Sequence, residues 1–167
     1  MTVELHGDGI VLRPLIVSDA EAHNAGEDIE QIRAFEFPGP APIERVRDAI
    51  GFWQESWAGD GSCRNFGIWD ATTGALVGNV EVRLLAPGRV NLSYSVWPEA
   101  RRRGIATRAA RLALVYARDT LDARTAVVKV LTDNDASLGV ARKLGATEVG
   151  TEPSPGGATF TVFELPL

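Results

Sequence analysis

The chain has one cysteine, two histidines and no long apolar run in 167 residues, and each scarcity removes a class of protein. Cys63 alone cannot close an intramolecular disulfide, and His6 and His23 have no cysteine or histidine partner at metal-ligand spacing. No metal is therefore expected, and both imidazoles read as surface or loop residues. With neither a membrane-length apolar segment nor a secretory leader, the expected compartment is the cytoplasm. Positive charge is short too, since 17 Lys and Arg against 22 Asp and Glu give a net charge of −5. A nucleic-acid partner needs cations spread along a face, so neither nucleic acid nor a membrane is expected to bind. No internal repeat is visible.

What remains is an ordinary globular composition, 45% hydrophobic and 23% charged, suited to one domain over residues 1–167. Its most informative stretch is 97–121. A short turn, Pro98-Glu99-Ala100, leads through Arg101-Arg102-Arg103-Gly104-Ile105-Ala106 into a segment with two stripes. Ala106, Ala110, Ala113, Ala117 and Leu121 form one, and Arg108, Arg111 and Arg118 the other, which is an amphipathic helix with its arginines toward solvent. Just before it, Val90, Leu92, Tyr94 and Val96 alternate with smaller or polar residues, as in a half-buried strand. Strand, glycine loop and helix start gather free amides and the positive end of a helix dipole at one place, which suits an anion. Gly104 without a Cβ and Ala106 with only a methyl let a ligand approach. A solvated basic turn is the competing reading of the three arginines.

Elsewhere, Gly7-Asp8-Gly9 reverses the chain between short strands at 3–5 and 10–13. Ser18 and Glu21 have capping-box spacing for a short helix reaching about Asn24, and a second helical segment covers about 28–35. Phe37-Pro38-Gly39-Pro40-Ala41-Pro42 cannot be a helix interior and is a candidate substrate wall. Pro42 suits a first helical position ahead of Ile43, Val46, Ile50, Trp53 and Trp57, a core stripe whose rim tryptophan can touch a ligand. Strands at 65–69, 75–85 and 89–96 form an antiparallel meander. Residues 125–132, TAVVKVLT, read as a strand covered on both faces, reached from 89–96 by a right-handed crossover that makes the two parallel. Asn134-Asp135-Ala136-Ser137 then opens a helix that stops at Gly145, and residues 148–150 and 159–165 close the chain as a strand pair.

Three segments in this order resemble the Gcn5-related N-acetyltransferase (GNAT) superfamily, and within it the RimJ/RimL-like ribosomal-protein alanine N-acetyltransferases. They are Val11-Leu12-Arg13-Pro14-Leu15 with Asp19-Ala20, Arg101-Arg102-Arg103-Gly104-Ile105-Ala106, and Asn134-Asp135-Ala136-Ser137 with Lys143-Leu144-Gly145-Ala146. The resemblance implies an α/β (α+β) fold, a mixed and mostly antiparallel central sheet with a splayed parallel strand pair and flanking helices. It also implies acetyl-CoA as cosubstrate, with no metal. The pantetheine arm would lie between strands 89–96 and 125–132, its amides near Val96. The pyrophosphate would rest on main-chain amides from Arg101 through Arg102, Arg103, Gly104, Ile105 and Ala106 to Thr107. Exposed arginine side chains add only about 0.5–1 kcal/mol each, so the backbone cradle carries more of the binding. Asn134 matches the family asparagine that bonds the arm, and as local structure it is a helix N-cap. Such domains often pair, which makes a homodimer the assembly to look for.

For catalysis the resemblance places Ser137 where RimL-like enzymes have a serine proposed to protonate the CoA sulfur; capping its helix is the competing role. The family glutamate falls near Asn91, which cannot accept a proton. Glu81 on the adjacent strand is the substitute base, acting directly or through water, and its bland reading is an exposed strand carboxylate. Tyr94 reads as a packed strand residue beside the cleft. An α-amine with a pKa of about 7.7–8.0 suits such a site better than a lysine amine near about 10.4. The expected function is acetyl transfer to a primary amine, a protein N-terminus or a small molecule, by direct attack in a ternary complex. A noncatalytic acyl-CoA-binding or sensor domain is the alternative, and an arginine-patch interaction module is a third that leaves Gly104 and Ala106 without a reason.

Overall fold

The computed structural model describes residues 3–59 and 61–167. Within them eight strands make one sheet in the order β1-β2-β3-β4-β5-β6-β8-β7, with β1 Leu5–Gly7, β2 Ile10–Pro14, β3 Cys63–Asp70, β4 Leu76–Ala86, β5 Arg89–Val96, β6 Thr125–Leu131, β7 Thr147–Pro153 and β8 Thr159–Pro166. Helices α1 (Ala20–Ala25), α2 (Ile29–Ala34) and α3 (Ile43–Ala58) connect β2 to β3, while α4 (Ile105–Leu121) joins β5 to β6 and α5 (Asp135–Lys143) joins β6 to β7. Neighbouring strands are antiparallel except β5 and β6, which are parallel, as the sequence leads one to expect.

Alternation along β3, β4 and β5 sorts the two faces of the sheet. Phe66, Ile68, Val80, Val82, Val90 and Leu92 share one core with Ala109, Ala110, Ala113 and Ala117 of α4. Those alanines are fully buried, so the helix backbone sits close to the sheet, and larger residues there would overpack at about 1–3 kcal/mol each. Ala106 is only half-buried, and the buried face is wider than the alanine stripe because Ile105, Leu114 and Tyr116 join it. The alternate positions Asn65, Asn79, Glu81, Arg83, Asn91 and Ser93 put polar side chains on the opposite face. A second cluster, Leu15, Ala20, Val46, Ile50, Leu76 and Trp97, anchors α1 and α3 beside it.

Local capping departs from the sequence expectation in two places. Asp19, rather than Ser18 with Glu21, organises the first helix. Its carboxylate accepts the Ile16 N–H at 3.0 Å and the Arg13 guanidinium at 3.2 Å, while Glu21 pairs with Arg47. A 3-10 turn at Val17–Asp19 has already displaced Ser18 from the cap position. Pro42, with ψ 145, is the N-cap of α3 rather than its first helical residue.

His23 is not a surface residue. α1 turns it inward, with ring centroids 5.3 Å from Trp97 and 5.8 Å from Trp53, and neither imidazole nitrogen has a hydrogen-bond partner among the described residues. Gly26 makes this packing possible, because a Cβ there would lie 2.3 Å from the Trp97 ring. Burial holds the His23 pKa down to about 4. The unfolded imidazole, near about 6.5, binds a proton that the folded one refuses, so this contribution to stability is full above pH about 6.5. It is lost as pH falls toward about 4, by about 3 kcal/mol at the low end. Urea melts between neutral pH and pH about 4 should therefore show a slope that His23→Phe flattens. An unchanged slope would assign the acid sensitivity to other groups.

Candidate active site

β5 and β6 pair at only three positions, Arg89↔Thr125, Val90↔Ala126 and Asn91↔Val127. Beyond these, β5 stays with β4 as far as Val96 and β6 stays with β8 as far as Leu131, so the facing edges part. Main-chain groups on those edges have lost their ladder and need other partners. The gap is a groove of about 370 Å³ lined by Leu92, Tyr94, Val128, Val130, Asn134 and Ser137, with Phe35 beside α2 closing over it.

Residues 97–104 link β5 to α4, and the stretch 101–107 runs from this loop into the first turn of the helix. Gly104 caps α4 at φ 72, a left-handed conformation that favours glycine, and a Cβ built on it meets nothing within 4 Å. Backbone conformation demands the glycine, and open space lies above it. The first bond of α4 runs from the Arg108 N–H to the Gly104 carbonyl at 3.2 Å, which leaves the amides of Ile105, Ala106 and Thr107 at the helix end. Ile105 and Thr107 bury their side chains, so their amides are held in place by the core. The three arginines have different surroundings. Arg102 is exposed at φ 61, and Arg103 pairs with Asp70 at 2.9 Å. Arg101 reaches Asp28 at 2.7 and 2.8 Å, Glu30 at 2.6 Å and the Val96 carbonyl at 3.0 Å. The Arg101 guanidinium holds the Asp28 carboxyl below the usual carboxylate range.

Asn134 and Ser137 come together on the far wall. Asn134 Oδ1 accepts the Ser137 N–H at 3.1 Å, so it is the N-cap of α5 while lining the groove. Ser137 is the third residue of that helix and not its cap; its carbonyl accepts the Tyr94 hydroxyl at 3.1 Å. Burial pushes the Tyr94 phenol up, so it keeps its proton at neutral pH.

A second cleft, of about 730 Å³, opens on the polar face of β3–β5 under α1, α2 and α3. Asn65, Glu81 and Ser93 stand in register across its floor. The Glu81 side chain is 12% exposed and accepts from Arg83 Nε at 2.9 Å and Asn65 Nδ2 at 3.3 Å, so it is not an exposed strand carboxylate. Asn91 takes part in the β5–β6 ladder, and Ser93, two residues on, is the position that reaches the cavities. Ser93 and Phe35 line both groove and cleft, which therefore adjoin. Cys63 is buried near Glu81 and Arg83, and its thiol is pushed up to about 12, which leaves it unreactive. His23 and Gln31 were not identifiable as cleft residues from local sequence. The signal that was available is the run of polar residues at every second position of β3, β4 and β5.

Arg101 ties the loop to α2, whose flanking Phe35 spans both cavities. Replacing it with Met removes a bidentate carboxylate pair and a carbonyl contact, together about 1–2 kcal/mol at this half-exposed site. Arg101→Met should lower Tm by roughly 3–6 °C and speed amide exchange across residues 29–34, and unchanged exchange there would contradict the tie.

Residues 10–147 match the model of the acetyltransferase (GNAT) domain family. Among solved structures, RimL, a ribosomal L7/L12 α-N-protein acetyltransferase in complex with coenzyme A, is similar with a TM-score of 0.84 and 18% identity, covering 99% of this chain and 98% of that one. The microcin C7 self-immunity acetyltransferase MccE, in complex with acetyl-CoA and AMP, gives 0.85 and 17% over 96% and 94%. The ribosomal-protein-S5-alanine acetyltransferase from Vibrio fischeri gives 0.80 and 16% over 98% and 96%. No curated protein matches the chain in sequence. At these identities the solved structures establish the shared fold, and the family model, spanning most of the chain, establishes membership: this protein belongs to the GNAT acetyltransferase domain family.

Proposed function

We propose that the protein transfers an acetyl group from acetyl-CoA to a primary amine, a protein N-terminus or a small molecule, by direct attack in a ternary complex. The observation that carries this reading is the junction at Ser93 and Phe35, where a groove fit for a thioester arm meets a separate polar cleft. Acetyl-CoA supplies the thioester carbonyl. The unpaired edges of β5 and β6 suit the pantetheine amides, with Val96 at the loop end and Asn134 on the opposite wall. The amides from Arg102 to Thr107 suit the pyrophosphate, with Arg101 bracing the loop rather than facing it. Arg103, paired with Asp70, does the same from the other side, and Arg102 is the exposed cation that can meet a phosphate.

Glu81, directly or through water, accepts the proton that the amine loses as its nitrogen forms the new C–N bond. A main-chain N–H on the parted β5 edge donates to the carbonyl oxygen as charge develops there. As the C–S bond breaks, the Ser137 or Tyr94 hydroxyl on the groove wall supplies the proton that the sulfur takes up. The comparison with RimL and MccE supports the coenzyme; the acceptor of this chain rests on its own cleft.

Incubated with acetyl-CoA and an amine panel, the protein should release CoA. Glu81→Gln should reduce kcat/KM by about 10²–10³ with acetyl-CoA affinity retained. Gly104→Val, which forces a β-branched residue to φ 72 and fills the open space, should weaken acetyl-CoA binding by about tenfold or more without unfolding the chain. Tight coenzyme binding with no turnover on any amine would instead favour a sensor domain.

A further inference from the structure

Three side chains that line the second cleft carry polar atoms with no partner among the described residues: Nδ1 and Nε2 of His23, Oε1 of Gln31 and Oδ1 of Asn65. They are 9%, 6% and 1% exposed, and unsatisfied polar groups this deep are rare enough that three in one cavity point to a ligand. The Asn65 amide orientation is set by its Nδ2 donating to Glu81 at 3.3 Å, which leaves Oδ1 as an unused acceptor. Glu27 and Glu81 add carboxylates. Arg83, the one cation among the described lining residues, is already bound to Glu81 at 2.9 Å. His23 is neutral at working pH, so it adds no positive charge. The cleft thus holds two unpartnered amide oxygens and two carboxylates, and its one cation among the described lining residues is already paired with a carboxylate. Phe35, Phe37 and Trp53 provide flat apolar walls.

Resting on the acetyl-transfer reading above, we infer that the cleft selects a primary amine whose skeleton bears a second N–H or O–H donor and no carboxylate, with Gln31 and Asn65 as the residues that recognise the second donor. A bare amine leaves these acceptors unpaired. A free amino acid places its carboxylate among Glu27, Glu81 and the amide oxygens.

A matched triplet on one skeleton tests this: phenylalaninamide, phenylalanine and 2-phenylethylamine, repeated with alanine amide, alanine and ethylamine. CoA release and calorimetric binding in the presence of CoA are both measured. The amide should exceed the bare amine by roughly tenfold in kcat/KM, and the free acid should fall roughly a hundredfold below the amide. Gln31→Met, similar in size but without the oxygen, should bring the amide-to-amine ratio toward one, and Gln31→Glu, which keeps an acceptor, should retain it. A free acid bound or acetylated as well as its amide overturns the inference. So does a ratio unmoved in Gln31→Met, or the absence of binding by every compound at millimolar concentration. Selective binding of the amide without any turnover supports the selectivity and overturns the acetyl-transfer reading alone.

Discussion

The parting of β5 from β6 after the Asn91↔Val127 pair is the constraint on which the rest depends. Each strand is fully paired on its other side, β5 with β4 and β6 with β8, so neither can bend to close the gap. The sheet is in effect two pieces joined by a three-position parallel ladder. α4 fixes the angle between them, because its fully buried alanines press the helix onto the β2–β5 half while Leu121 and the following Ala123 lead straight into β6. The helix packed against one half also begins, at the loop that follows β5, with amides that precede its first main-chain bond. Packing and the proposed pyrophosphate cradle therefore share one element.

The polar cleft follows from the same alternation that builds the core. On β3, β4 and β5 every second residue feeds the α4 core, and the residues between them, Asn65, Glu81 and Ser93, align into a row on the other face. A slip of one residue in any of these strands would put apolar side chains in the cleft and polar ones under α4, and in β4 the Glu81 carboxylate, so the site is protected by the cost of disrupting the core. α2 then covers the junction of the two cavities. It is short, six residues, buries Gln31 and Ile32, and is flanked by charge pairs, Arg101 with Asp28 on the loop side and Arg33 with Asp133 on the α5 side. Phe35 at its end stacks on Phe37 and borders both cavities, so the arginine loop and the cleft are mechanically connected through this segment.

The elements that build the fold were legible in the sequence where one period dominated. β5, α4 and α5 carry two- or 3.6-residue patterns and β6 an almost unbroken apolar run, and their observed bounds follow those signals closely. The loop with Gly104 was legible because left-handed backbone and free helix amides have a local signature. The acceptor side was not. His23 looked like an isolated loop histidine because its burial depends on Trp97 and Trp53, which are distant in sequence, and on the space left by Gly26. Glu81 and Asn65 could be read as polar strand residues, but their hydrogen bond depends on cross-strand register, which alternation alone does not number. Arg101 reads as one of three equivalent cations, and only the tertiary position of Asp28 and Glu30 makes it a brace.

A crystal structure of the protein with acetyl-CoA bound is the most direct test of the central claim. The pyrophosphate should accept hydrogen bonds from main-chain amides between Arg102 and Thr107, the arm should run between the parted edges of β5 and β6, and the thioester should sit beside Ser93. A coenzyme seated elsewhere on the fold, or β5 and β6 joined along their full length around an empty groove, would contradict it.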